Sequence, residues 1–199
     1  MKKLEDFQIN NKNIILRADL NMPIVNGSIA DYSRIETIIP TINKLTKSKN
    51  KVFIITHLGR PNGTKVNELS IKFLCKELQI KLGIGKVHFI ESINNQEINN
   101  KKYEMNEGEV CLLENVRFYN QEEKNDVEFS KQLSSHFDYY INDAFSVSHR
   151  AHSSIVGLPK FLPSLAGLSF INEIVNLENF LSVSKKPNLA IIGGSKIST

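Results

Sequence analysis

The sequence predicts a doubly wound α/β fold, and three observations carry that prediction. Six short apolar runs are nearly continuous rather than alternating, which suits strands buried on both faces of a parallel sheet. Longer stretches with helical spacing separate them, and such alternation with short loops implies right-handed crossovers. Residues with unusual chemistry follow the ends of the apolar runs, at the carboxyl edge of the sheet where ligands bind in this architecture. The expected fold is therefore a Rossmann-like parallel sheet, with the first strand of a second similar lobe at the end of the chain.

The first run, residues 13–17, holds Ile14, Ile15 and Leu16. Asn26-Gly27 and later Asn62-Gly63 each begin a glycosylation sequon, but without a secretory signal they read as turns. A helix is predicted over 33–47 and a strand over 52–56. A second helix over 69–82 ends at Gly83 and Gly85 before the strand at 87–90. A polar helical stretch, 96–105, precedes the strand at 110–113, and a helix over 127–136 precedes the strand at 139–141. In the last helix, 165–183, Leu168, Ile171, Ile174, Val175 and Leu181 recur at helical spacing. Ser184 to Asn188 break the pattern, and a strand at 189–192 leads to Gly193, Gly194 and Lys196. We expect a first domain over 1–164, a connecting helix over 165–184 and the start of a second domain over 185–199. A βα unit begins there without its helix, so the chain is expected to be cut short inside that second domain.

At 199 residues, 41% hydrophobic and 23% charged, the chain can bury a sizeable core. A net charge of +4 with no long basic run argues against a nucleic-acid partner. No stretch approaches the roughly 18 apolar residues of a membrane span, and the start lacks an apolar signal region, so a cytoplasmic location and no membrane partner are expected. Cys75 and Cys111 have no partner pattern and read as reduced packing residues.

Only five of the 25 basic residues are arginine: Arg17, Arg34, Arg60, Arg117 and Arg150, each at or just after an apolar run. A guanidinium presents a planar fork that grips carboxylate or phosphate in two places at once. Singly, each could serve a surface ion pair; five in such similar settings point to a polyanion site. His57, Asn115, Asn142, Asp143, His149 and His152 share the same edge.

Read together, five segments resemble the phosphoglycerate kinase family across the whole chain. They are RADLNMPIVNG from Arg17, THLGRPNG from Thr56, LLENVRF from Leu112, NDAFSVSHRAHSSIVGLP from Asn142 and AIIGGSK from Ala190. The resemblance implies reversible phosphoryl transfer between 1,3-bisphosphoglycerate and ADP, giving 3-phosphoglycerate and ATP in glycolysis. It also implies two lobes, the first holding phosphoglycerate and the second the nucleotide with Mg²⁺, in a full-length enzyme that is a monomer. By the same resemblance, Asp19 and Asn21 hold the hydroxyl and carboxyl end of the glycerate, with Leu20 between them. Arg34 lies at the transferring phosphoryl, where positioned cations supply most of the catalysis. His57, Leu58, Gly59, Arg60, Arg117 and Arg150 surround the phosphate that is not transferred. Gly193, Gly194 and Lys196 form part of a nucleotide site, with Lys196 catalytic beside Arg34. No metal site is expected in this chain, and no Mg²⁺ or nucleotide is expected to bind to it alone.

Competing readings stand beside these. Arg17 is assigned to a supporting ion pair with a nearby carboxylate, and Asp19 could instead brace the loop that ends at Pro23. His149 and His152 lack a third ligand at metal spacing and read as packing and loop residues, as do His88 and His136. Ser146-Val147-Ser148 stands where the family has Gly-Thr-Ala, so the loop is strained or shifted if that Gly needs a positive φ. The 199-residue chain is expected to bind 3-phosphoglycerate without catalysing transfer. The alternative is a stand-alone module that binds a phosphorylated metabolite, for which the strand at 189–192 is superfluous. A dinucleotide-dependent oxidoreductase would need a glycine-rich turn where Asp19 to Pro23 stand.

Overall fold

The computed structural model describes residues 1–25 and 28–183. In chain order the elements are β1 (Asn13–Ala18), β2 (Ile24–Val25), β3 (Ser28–Ile29), α1 (Ser33–Lys47), β4 (Lys51–Ile55), α2 (Leu74–Leu82) and β5 (Val87–Ile90). They continue with α3 (Asn95–Glu104), β6 (Val110–Leu113), α4 (Asn120–Glu123), α5 (Val127–Ser134), β7 (Tyr139–Asp143), β8 (Ser164–Ala166) and α6 (Leu168–Val183). Six strands form one sheet in the order β5-β6-β4-β1-β7-β8, all pairs parallel. β2 and β3 form a separate antiparallel pair. The predicted α/β class and doubly wound order are what the structure has. β1 lies between β4 and β7, so the carboxyl ends of these three strands open onto one crevice.

The continuous apolar runs have a direct structural cause: both faces of the sheet are covered. Ile14 and Leu16 of β1 join Val52, Ile54, Val110, Leu112 and Ile141 on one face, against Ile35, Ile38 and Ile42 of α1 and Leu74 and Leu78 of α2. Ile15 joins Phe53, Ile55, Cys111, Leu113 and Tyr140 on the other, against Ile98 of α3 and Leu133 of α5. Burying each such side chain stabilises the fold by about 1.5–3 kcal/mol.

Helix ends follow local polar chemistry. Gly83 closes α2 at φ +65°, the left-handed conformation that glycine adopts without a Cβ penalty. Asn94 accepts from Glu97 N at 2.9 Å and Asp126 from Phe129 N at 2.8 Å, which start α3 and α5. Asp31 accepts from Ser33 N at 2.8 Å just ahead of α1, and those bonds hold its carboxyl below the usual range.

Two helices begin later than the sequence reading has them. The helix expected over 69–82 begins at Leu74, because Ser70 and Ile71 bond the Glu114 carboxylate at 2.7 and 2.9 Å and are drawn out of helical geometry. The helix expected from 165 begins at Leu168, because Leu165 pairs with Ile141 and Ala166 with Asn142 in the edge strand β8. Asp143 and Thr41 then cap α6, accepting from Phe170 N at 2.9 Å and Leu168 N at 3.1 Å. Gly167 makes that join possible: a Cβ there would lie 2.4 Å from Asp143 Oδ1. The strand expected over 189–192, with Gly193, Gly194 and Lys196, lies outside the described residues.

Candidate active site

The crevice at the ends of β1, β4 and β7 is a pocket of about 250 Å³ lined by Asp19, Asn21, Arg34, His57, Gly59, Arg60, Arg117, Ser146, Val147, His149 and Arg150. Four arginines thus face one carboxylate, a field that draws in a small polyanion. Arg34 stands in the first turn of α1 and pairs with Asp19, to which Ser146 also donates its hydroxyl. Arg117 is nearly buried and donates to the Gly59 carbonyl at 2.8 Å, with Glu123 Oε1 3.3 Å from its Nε. Arg60 and Arg150 have no ion-pair partner among the described residues.

Three loops are tied together to hold this arrangement. Asn21 Oδ1 accepts from Gly59 N at 2.9 Å, joining the loop after β1 to the loop after β4. Asn115 is fully buried; its amide donates to the carbonyls of Leu58 (2.8 Å) and Leu69 (3.0 Å) and accepts from Leu58 N (3.3 Å) and Arg117 N (3.1 Å). Gly59 sits at φ +63°, and a Cβ there would come 2.8 Å from Leu69 Cδ2. The glycine lets the backbone turn tightly enough for its N–H and carbonyl to serve Asn21 and Arg117.

His57 is nearly buried. Burial foremost, then the charges of Arg17, Arg117, Arg150 and His152, hold its pKa down to about 2, so the ring is neutral at ordinary pH. Asp143, at the end of β7, is pushed up by burial, and its Oδ2 has no partner among the described residues.

Most residues singled out in the sequence meet in this pocket, and several do not. The Leu20 and Leu58 side chains belong to the core, and their backbone N–H groups are taken by Thr56 Oγ1 and Asn115 Oδ1. Arg17 makes no direct ion pair with any described residue: it bonds Ser154, the Ala18 carbonyl and His57, beneath the pocket. The Asp19 brace is real as well, since Oδ1 accepts from Asn21 N at 3.2 Å. Ser146 takes no positive φ, so the loop with Ser146-Val147-Ser148 carries no strain of that kind. His149, Ser146 and Val147 line the pocket without having been assigned to it. Among the described residues no group of three His, Cys, Asp or Glu side chains is placed to hold a metal ion.

A family model described as phosphoglycerate kinase matches residues 4–199. The chain belongs to the phosphoglycerate kinase family. It is 45% identical over 196 residues to phosphoglycerate kinase of Wolbachia pipientis subsp. Culex pipiens, which covers 98% of this chain and 49% of that protein. Phosphoglycerate kinase of Brucella melitensis is 41% identical over 198 residues, covering 100% of this chain and 50% of the relative. The crystal structure of phosphoglycerate kinase from Pyrococcus horikoshii superposes with a TM-score of 0.88 at 34% identity, covering 99% of this chain and 50% of that one. The phosphoglycerate kinase structure from Coxiella burnetii gives 0.83 at 33% identity, over 98% and 49%. The chain therefore spans about half the length of the phosphoglycerate kinases it matches. No helix among the described residues is long and apolar enough to cross a membrane.

Proposed function

We propose that this chain forms the 3-phosphoglycerate-binding half of a glycolytic phosphoglycerate kinase, which moves a phosphoryl group reversibly between 1,3-bisphosphoglycerate and ADP. The observation that supports it most is the pocket where Arg34, Arg60, Arg117, Arg150 and His57 surround Asp19 and Asn21. Asp19 and Asn21 hold the hydroxyl and carboxyl end of the substrate. Arg34 meets the phosphoryl that is transferred, while His57, Arg60, Arg117 and Arg150 hold the phosphate that stays. In a loose transition state charge spreads over three equatorial oxygens, and a planar fork fixed in a helix's first turn suits that distribution.

Division into a substrate lobe over 1–164, a connecting segment over 165–184 and the start of a nucleotide lobe over 185–199 belongs to the same reading, with β8 completing the first sheet. Gly193, Gly194 and Lys196 then contribute to the nucleotide side, where the family's Mg²⁺ and ATP or ADP bind. Chemistry needs both substrates held in line. A polypeptide of these 199 residues therefore binds 3-phosphoglycerate and does not turn over. The full enzyme acts as a cytoplasmic monomer. Calorimetry against 3-phosphoglycerate, beside a coupled ATP assay, tests this. Heat of binding without turnover is the expected result; turnover well above background, or no binding at millimolar ligand, defeats the reading.

A further inference from the structure

Beneath the pocket runs a buried polar chain that makes no contact with its lumen. Arg17 is 1% exposed, among the largest fully buried side chains of the protein. Its Nε donates to Ser154 Oγ at 2.9 Å, and Nη2 stands 3.1 Å from His57 Nδ1. Ser154 donates its hydroxyl to Glu122 Oε1 and its N–H to Oε2 at 2.8 Å. Glu122 is itself wholly buried, so both its oxygens are committed to this one serine, with His152 Nδ1 3.7 Å away. The Tyr140 hydroxyl fixes the Ser154 carbonyl at 2.8 Å.

A guanidinium has donors and no acceptor. The contact between Arg17 and His57 is therefore a hydrogen bond only when Nδ1 carries a lone pair, which leaves the ring proton on Nε2. That nitrogen has no protein partner among the described residues, and His57 lines the pocket. We propose that Glu122, Ser154 and Arg17 are positioning residues that hold His57 as a neutral ring whose Nε2–H donates to a phosphate oxygen in the pocket. The ligand in this statement rests on the function proposed above; the ring state does not. Groups that face His57 are Arg17 from β1, Arg117 from the turn after β6, and Arg150 and His152 from the loop after β7. None of these is a carboxylate, and each of their charges disfavours the charged form of the ring. The arginines bring the positive charge, and the histidine brings one donor with a fixed direction.

The test is the ¹⁵N spectrum of the imidazole rings in the 199-residue chain between pH 5 and 8. His57 should show the Nε2–H pattern throughout. A protonated or Nδ1–H ring for His57 in that range overturns the inference without any variant. In Ser154→Ala, His57 should lose its single tautomer, and Ser154→Thr, which keeps the hydroxyl, should restore it. A folded Ser154→Ala with an unchanged His57 removes Ser154 and Glu122 from the role. On adding 3-phosphoglycerate the Nε2–H resonance should move. Binding seen by calorimetry with no movement overturns the inference, whereas the expected ring state with no binding overturns the proposed substrate. Affinity should rise with pH through the ligand's second phosphate ionisation, near about 6, and not decline again by about pH 8, as a titrating histidine cation would require.

Discussion

Ser146 donates its hydroxyl to the Asp19 carboxylate, on the same oxygen that the Arg34 guanidinium grips. The serine hydroxyl supplies a contact that a glycine at this position could not. Ser146→Ala should loosen the Asp19–Arg34 pair and weaken 3-phosphoglycerate binding by about 3- to 10-fold, the worth of one ordinary hydrogen bond. Ser146 is exposed, so the unfolding midpoint should stay put. Calorimetry and a thermal melt on the same sample check both halves.

Arg60 and Arg150 line the pocket without an ion-pair partner among the described residues, so their charge is free for a ligand. Replacing either with Ala should lower affinity by roughly 10- to 100-fold, since a charge-assisted hydrogen bond is worth about 1.5–3 kcal/mol. Lys in the same places should recover part of the loss, because the charge returns and the fork does not. An affinity unchanged by both alanine variants would show that the ligand sits elsewhere.

Asn115 bonds Leu58, Leu69 and Arg117 from a fully buried position. Asn115→Ala should cost roughly 2–4 kcal/mol of stability, because it strands two carbonyls and two N–H groups away from water. Urea denaturation measures this. A loss below about 1 kcal/mol would mean that water replaces the amide.

A neutral buried His57 makes the fold acid-labile. Its native pKa is about 2, against 6.5 when solvated, so below pH 6.5 the unfolded chain binds the extra proton. The stability it contributes is complete above pH 6.5 and is lost as pH falls towards 2. By about pH 5 the loss should reach roughly 2 kcal/mol. His136 and His152 are lowered too, burial being the larger cause in each, and act in the same direction. Denaturation curves at pH 7 and pH 5 should differ accordingly, and His57→Gln should narrow the gap; an equal gap in the variant would assign the effect elsewhere.

Much of this could be read before folding was considered, and the reason is physical. β5, β6 and α1 have the predicted bounds because strands covered on both faces keep apolar residues at every position, and a long helix repeats its buried face. β8 was hidden because Ser164–Ala166 is a short segment whose burial comes from Tyr139–Asp143, far back in the chain. In the site, the arginines announced themselves by type and place. Leu20 and Leu58 were misplaced because a motif does not say which neighbours turn inward. Ser154 and Glu122 left no signal at all, since they meet across 32 residues and neither is unusual alone.

The central position of β1 bears on how the polypeptide leaves the ribosome. Ile14 pairs with Val52 soon after synthesis but with Tyr139 only much later, and the Ala166 N–H closes on the Lys2 carbonyl at 2.9 Å. At about 5–20 residues per second, the amino-terminal strand waits roughly 6–25 seconds for its second neighbour, with one backbone edge unpaired. A nascent chain stalled after β6 would therefore carry the exposed edge of β1, and holdase binding should peak there and fall once β7 and β8 have emerged.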